Sequence, residues 1–474
     1  MSISFLNYEI NILNMDARMP FKYGIATLTS LPHLFLEIEL EVDGKVKKGI
    51  ASDGLAPKWF TKDPNTSFKD DIYEMINVIK IAAETAIQIS SASTVFDFWL
   101  ELYQKQCEWG KEKNRPGLLS SFGVSMVERA MISAFSSAKE KPFHKLINLL
   151  GFQVNRIFPD LDNKLIEKAL PKEPLSSAEI RHTVGLADYL REDEIPFEEL
   201  VNDGLPQSLE ENVRVYGIKK LKIKLFGDLE KDLPRLLKIS DIMKELNQEF
   251  SFTLDGNEFF TSATSFKEYW QSLSKKEQIK NFLSKLIFIE QPIHRDYALS
   301  NECGECLQNW PDKPKMIIDE SDGELYSAHK ALELGYSGSS HKNCKGIFKS
   351  LANLCLFYEN NNILSAEDLC NAGPVALHQD LAIVAVLGIR HVERNGHQYM
   401  PGLSMFSDDI QNQILEAHPD LYNSNLDFPS LKIEDGKITL SSINNSPLGV
   451  GINLETNQFT ALEDWKFESL NLPD

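Results

Sequence analysis

The feature of this 474-residue chain that most constrains its fold is a series of short apolar runs, each ending in a charged residue and each followed by a helix-length segment. KKLKIKL carries Lys222 and Lys224, FSFTLDGNE carries Asp255, KLIFIEQP carries Glu290, and PKMIIDES carries Asp319 and Glu320. The gaps from Lys222 onward are 33, 35 and 29 residues, close to the ~30 residues of one βα unit. Such a rhythm specifies successive parallel strands. It continues through Lys342, Ser365 to Asp368 and Glu393, and an earlier run at Ile180 to Leu186 brings the count to eight. Eight βα units within about 240 residues is the size of a TIM barrel. The expected fold class is therefore α/β, a (β/α)8 barrel spanning residues 178–418.

The flanks read differently. Residues 34, 36, 38, 40 and 42 are apolar and alternate with mostly acidic ones, as in a half-buried antiparallel strand, and Asp43-Gly44 turns it into a hairpin. Ile72, Met75, Ile76, Ile79, Ala83 and Ala86 mark one face of a helix that follows Asp70 and Asp71. A second helix is expected from about Val124 into Leu150, stopped by Gly151. Residues 1–150 thus form a small α+β domain. Residues 151–177, with Pro159, Pro171 and Pro174, form a connector or insertion. In residues 419–474, Leu431 to Leu440 holds an Asp435-Gly436 turn and precedes a second β-like run, Leu448 to Leu454. This hairpin is expected to pack back on the first domain.

Hydrophobic residues make up 42% and charged residues 25%, which excludes a disordered or collagenous chain. With 49 Lys and Arg against 69 Asp and Glu, the net charge of −20 repels a phosphate backbone, so no nucleic-acid partner is expected. The longest plainly apolar stretch, Leu381 to Ile389, is far short of the ~20 residues that span a bilayer. No membrane partner and no signal peptide are expected, and the location is expected to be cytoplasmic. Six cysteines give no disulfide framework, and Cys303-x-x-Cys306 lacks the further ligands of a zinc site.

In a TIM barrel, residues at the carboxyl ends of the strands share one site. Asp255, Glu290 and Asp319 end three consecutive strands, and three converging carboxylates need a cation. Oxygen-only ligands suit a hard ion, which predicts Mg2+, one per subunit. Lys222 and Lys224 share a strand face one unit earlier. Mutual repulsion and a nearby metal are expected to depress their pKa values and make a general base. Across the barrel, Lys342 is favoured over His341 and Lys345 as a lysine facing them from the opposite side. Glu393 is a candidate hydrogen-bonding residue, and for His397 a structural role is favoured over an acid. In the first domain, Lys58 and Trp59 lie on a loop that could fold over the barrel mouth and touch the substrate.

Taken together, KIK at 222–224, DGNE at 255–258, IEQP at 289–292, DES at 319–321 and KxxKG at 342–346 resemble the enolase superfamily, in particular its mandelate racemase and muconate lactonizing branches. PFKYGIATLTSLPHLFLEIE is similar to that family's capping domain, and DGKITLSSINNSPLGVGI to its closing hairpin. The resemblance implies a capping domain completed by the C-terminal segment, and magnesium held by Asp255, Glu290 and Asp319. It further implies Lys224 as the base that removes the proton α to a carboxylate, Lys222 on that carboxylate, Lys342 on the opposite face, and Asn257 at the substrate. A small-molecule carboxylate substrate and a homo-oligomer follow from the same likeness. An isomerase (cycloisomerase, racemase or epimerase) is expected first, a lyase second, and a non-catalytic metal-binding barrel third. The sequence departs from the family in three places: Lys345-Gly346 replaces a double glycine, the segment between the capping domain and the barrel is longer than usual, and Ser365-Ala366-Glu367-Asp368 stands where a racemase-type histidine would be.

Overall fold

Alternating apolar and polar residues draw the start of the chain into an antiparallel sheet of β1 (Ile3–Tyr23), β2 (Ala26–Val42) and β3 (Lys45–Gly54). The computed structural model describes residues 1–472. Asp43 and Gly44, both at positive φ (51° and 79°), form the mirror-image turn that suits a twisted hairpin. Three helices cover one face: α1 (Phe68–Gln88), α2 (Val95–Glu112) and α3 (Gly117–Lys139). Ser67 caps α1 in a reciprocal box with Asp70, and the expected apolar face of α1 is buried. Glycines allow close packing. A Cβ on Gly123 of α3 would lie 2.0 Å from the Val78 carbonyl oxygen of α1.

The helix expected from Val124 into Leu150 is displaced. It starts at Gly117 and ends at Lys139, because Glu140 turns left-handed (φ 52°) and Pro142 cannot continue a helix. Leu146 and Leu150 lie in turns beyond it and are nonetheless buried. Among the described residues α3 alone is long and apolar enough to cross a membrane, and its apolar window is entirely buried inside the fold.

All eight expected parallel strands form: β4 (Ser177–Val184), β5 (Lys220–Lys224), β6 (Ser251–Asp255), β7 (Leu286–Glu290), β8 (Met316–Ile317), β9 (Gly338–His341), β10 (Ile363–Ala366) and β11 (His391–Arg394). Each pairs in parallel with the next, and β11 pairs with β4. The ring closes between β8 and β9 through a parallel bridge of Ile318 to Ser339. The outer helices pack on the strands, with Ile347–Asn360 mostly and Ala376–Leu387 entirely buried. Glu128 of α3 joins the two parts: its carboxylate accepts from the backbone N–H groups of Ile347 (2.9 Å) and Phe348 (2.7 Å), capping a barrel helix from outside the barrel.

The C-terminal hairpin is only partly as expected. The Asp435-Gly436 turn forms, but its second arm, Lys437–Thr439, pairs antiparallel with β4 of the barrel. The reason lies in register: β4 pairs with β5 only from Arg181 onward, leaving residues 177–179 with a free edge. The run at 448–454 forms no strand. The capping sheet is completed instead by Thr460–Ala461, which pairs with β1 at Ile12 and Asn11. Cys303 and Cys306 sit on the helix Asn301–Gln308, with Cys303 buried against the Tyr336 hydroxyl at 3.4 Å.

Candidate active site at the carboxyl ends of the barrel strands

Alternation along β5 sends Leu221 and Ile223 into the apolar core and Lys222 and Lys224 to the barrel interior. The Lys222 ammonium lies within 2.8 Å of Glu290 and Glu393, 2.9 Å of Glu367 and 3.2 Å of Asp255. Lys224 donates to Asp255 Oδ2 (2.7 Å) and Asn257 Oδ1 (3.0 Å). Lys342, just past β9, is 3.1 Å from both Asp319 Oδ2 and Glu367 Oε2. β5 and β9 are the second and sixth of eight staves, so Lys224 and Lys342 approach the shared cavity from opposite walls, with Asp255, Asp319 and Glu393 also lining it.

The other candidates on the sixth stave point elsewhere. Lys345 is buried behind Asp319, donating to Oδ1 and to the Ser340 hydroxyl at 2.8 Å each. His341 Nδ1 faces the Ser350 hydroxyl at 2.6 Å. His397 is buried with its Nε2 3.0 Å from His182 Nδ1, a packed pair away from the cavity. Glu393 accepts from Thr183 as well as from Lys222.

The electrostatics correct one expectation. Burial opposes the charge on Lys222, but Glu290, Glu367, Glu393 and Asp255 outweigh it and hold the ammonium well above its usual range. Lys342 is likewise held up, by Asp319 and Glu367. Burial opposes ionisation of Asp319, yet Lys342 and Lys345 hold that carboxyl well below its ordinary value. Burial and the adjacent Glu367 charge push the Glu290 carboxyl well above its ordinary range. Burial, then the Asp319 and Glu258 charges, raise Glu320 to about 8.

Glu290, Asp319 and Glu367 bring carboxylate oxygens within 4.8 Å of one another, a set that could hold a metal ion. Asp255 stands outside this trio, drawn aside by the two lysines. Glu367 is the residue that sequence reasoning missed. It lies in Ser365-Ala366-Glu367-Asp368, at the end of a barrel strand, and its acidity was the available signal. Glu290 Oε2 is buried without a hydrogen-bond partner, so an all-oxygen donor set with an unsatisfied lone pair fits a hard divalent cation.

By sequence, no family model and no curated protein matches the chain. Solved structures do. A mandelate racemase/muconate lactonizing protein of Herpetosiphon aurantiacus superposes with a TM-score of 0.61 at 13% identity, covering 95% of this chain and 99% of that one. A dipeptide epimerase of Enterococcus faecalis complexed with Mg and the dipeptide L-Leu-L-Tyr gives 0.61 at 13%, covering 95% and 100%. Muconate lactonizing enzyme of Pseudomonas fluorescens gives 0.60 at 13%, covering 97% and 99%. The chain has the enolase-superfamily fold.

Within that fold, the capping domain closes the barrel mouth with two loops. Phe21 and Tyr23 come from the end of β1, Leu28 from the start of β2, and Ala56, Lys58, Trp59 and Lys62 from the segment after β3. Trp59 reaches the site: the Lys342 ammonium lies 5.0 Å from its ring centroid. Lys58 does not present its charge there. Its Nζ is turned to Asp71 (3.1 Å), the Asp63 carbonyl (2.8 Å) and the Thr66 hydroxyl (2.6 Å), because Asp71 is a buried carboxylate at the start of α1 that needs a cation. Asn257 lines the cavity and holds Lys224.

Proposed function

We propose that this protein is an enzyme that removes the proton α to the carboxylate of a small molecule and returns it, an isomerase of the racemase, epimerase or cycloisomerase type. The observation that carries the reading is the placement of Lys224 and Lys342 on opposite walls of one cavity, with buried carboxylates at its floor. A flat enolate between two such groups can lose a proton from one face and regain it on the other, and proton transfer at a carboxylate-bearing carbon needs dense positive charge nearby.

Glu290, Asp319 and Glu367, with Asp255 adjacent, would hold magnesium, which when bound supplies Lewis-acid charge beside the substrate carboxylate. Lys222 contributes a fixed ammonium to that carboxylate. Lys224 exchanges the α-proton at its Nζ, oriented by Asp255 and Asn257. Lys342 serves the other face at its Nζ, backed by Asp319 and Glu367, while Trp59 covers it and keeps water out.

The test is a panel of carboxylic acids, including acid sugars, dipeptides and N-acyl amino acids, incubated in D2O with and without Mg2+. Exchange at the α-carbon that requires both the metal and Lys224 is expected, and a Lys224→Ala variant should lose it at least a hundredfold. Formation of a 2-keto acid or alkene would replace the isomerase by a lyase. Metal binding without exchange in the wild type, and unchanged cellular function of Lys224→Ala, would replace both by a non-catalytic barrel.

A further inference from the structure

Trp59 belongs to the capping domain, yet its backbone is held by the barrel. Arg295, just past the end of β7, donates from Nη2 to the Trp59 carbonyl (2.9 Å) and from Nη1 to the Phe60 carbonyl (2.8 Å). The same guanidinium is fixed by Glu258: Nε to Oε1 and Nη2 to Oε2, both at 2.8 Å, with the Arg295 backbone N–H also on Oε1 at 2.9 Å. Lys62 completes the contact, 2.7 Å from the Asn257 carbonyl and 3.2 Å from Glu258 Oε2. The loop bends at its two ends, where Lys58 and Lys62 take left-handed backbone (φ 64° and 53°) and bracket Trp59 to Thr61. Its Lys58 end is tied to α1 and its Lys62 end to the barrel.

We propose that Arg295 is a positioning residue: its planar fork clasps the two carbonyls of the loop and seats the Trp59 ring over Lys342, with Glu258 orienting the fork. A guanidinium matches this task because one rigid plane satisfies a carboxylate and two carbonyls together. Entry to the cavity then requires release of the clasp, and closure restores the indole beside the Lys342 ammonium. The role of Lys342 rests on the function proposed above; the clasp itself is tested without substrate.

The test uses the full chain with Arg295→Met, read by tryptic cleavage after Lys62 and by the emission of Trp59, obtained as the difference between each protein and its Trp59→Phe counterpart. Cleavage after Lys62 is expected to accelerate at least tenfold while cleavage after the exposed Lys113 is unchanged, and the Trp59 emission should shift to the red and become more accessible to acrylamide. If Glu258, left with Lys62 alone, prevents folding, adding Glu258→Gln removes its charge and the same readouts apply. Arg295→Lys supplies a charge to Glu258 but not a fork, so stability should recover while the loop stays open. Unchanged cleavage and emission in Arg295→Met, or a fully closed loop in Arg295→Lys, would overturn the inference. Equal acceleration after Lys62 and Lys113 would do so too, since it would mean general loosening.

Discussion

Replacing Lys222 by methionine tests whether the barrel interior is an ion cage or a tolerant polar face. The ammonium is 2% exposed and touches four carboxylates. Without it, Asp255 keeps Lys224, and Glu367 keeps Lys342 and Arg181. Glu393 is left with only the Thr183 hydroxyl and Glu290 with no cation. Removing one partner from a buried ion pair costs about 3–5 kcal/mol, and a loss of that size is expected at pH 7.5. A lysine whose folded pKa lies above its unfolded 10.5 contributes its stability fully below that value, so pH 7.5 reads the whole effect. Because Glu290 is already pushed up by burial, the variant should recover part of the loss as the pH falls and that carboxyl takes a proton. Adding Glu290→Gln to Lys222→Met should restore about 1–3 kcal/mol, the penalty of an unsatisfied buried charge. The assay is urea unfolding followed by circular dichroism for wild type, each single variant and the double variant at pH 7.5 and 5.5. A Lys222→Met effect within about 0.5 kcal/mol, the range of an ordinary surface substitution, would refute the cage. So would a double variant less stable than Lys222→Met alone.

Three further outcomes are expected. Titration calorimetry with Mg2+ should show affinity falling at least tenfold in each of Glu290→Gln, Asp319→Asn and Glu367→Gln, and unchanged affinity in Glu367→Gln would remove that residue from the ligand set. Glu128→Ala leaves the N–H groups of Ile347 and Phe348 without acceptors and should cost about 1–3 kcal/mol in thermal unfolding, with no change in Mg2+ affinity. Burial lowers His182 from 6.5 to about 3, so the fold favours its neutral form. Its contribution is present above pH 6.5 and is lost as pH falls, by about 1.4 kcal/mol between pH 7.5 and 5.5. Urea unfolding of His182→Gln should show a pH dependence shallower by that amount, and an identical slope would refute the neutral, buried assignment.

Much of the architecture was legible because strand signals are local. Lys224, Asp255, Glu290, Asp319, Lys342 and Glu393 all fall at or just past strand ends of the barrel, with Lys222 two residues inside one, where a run of apolar residues and its terminal charge place them. The helix after Gly117 was harder, since its sequence is buried on all sides and shows little periodicity to mark where it starts. The C-terminal arm was misplaced because the free edge that it fills exists only through the offset between β4 and β5.

The chain by itself determined the eight-fold βα rhythm, the capping sheet and the chemical identity of the strand-end groups, because alternation and spacing act over a few residues. Which groups meet was decided only by closure of the ring. Lys222 reaches Glu367 and Glu393 across 145 and 171 residues of sequence, Glu367 comes together with Glu290 and Asp319 in a carboxylate trio, and Lys58 turns to Asp71 while Trp59 turns to Lys342. These are choices of partner for buried charges. A charge removed from water takes whichever counter-charge the tertiary packing brings within reach, and no local pattern encodes that distance.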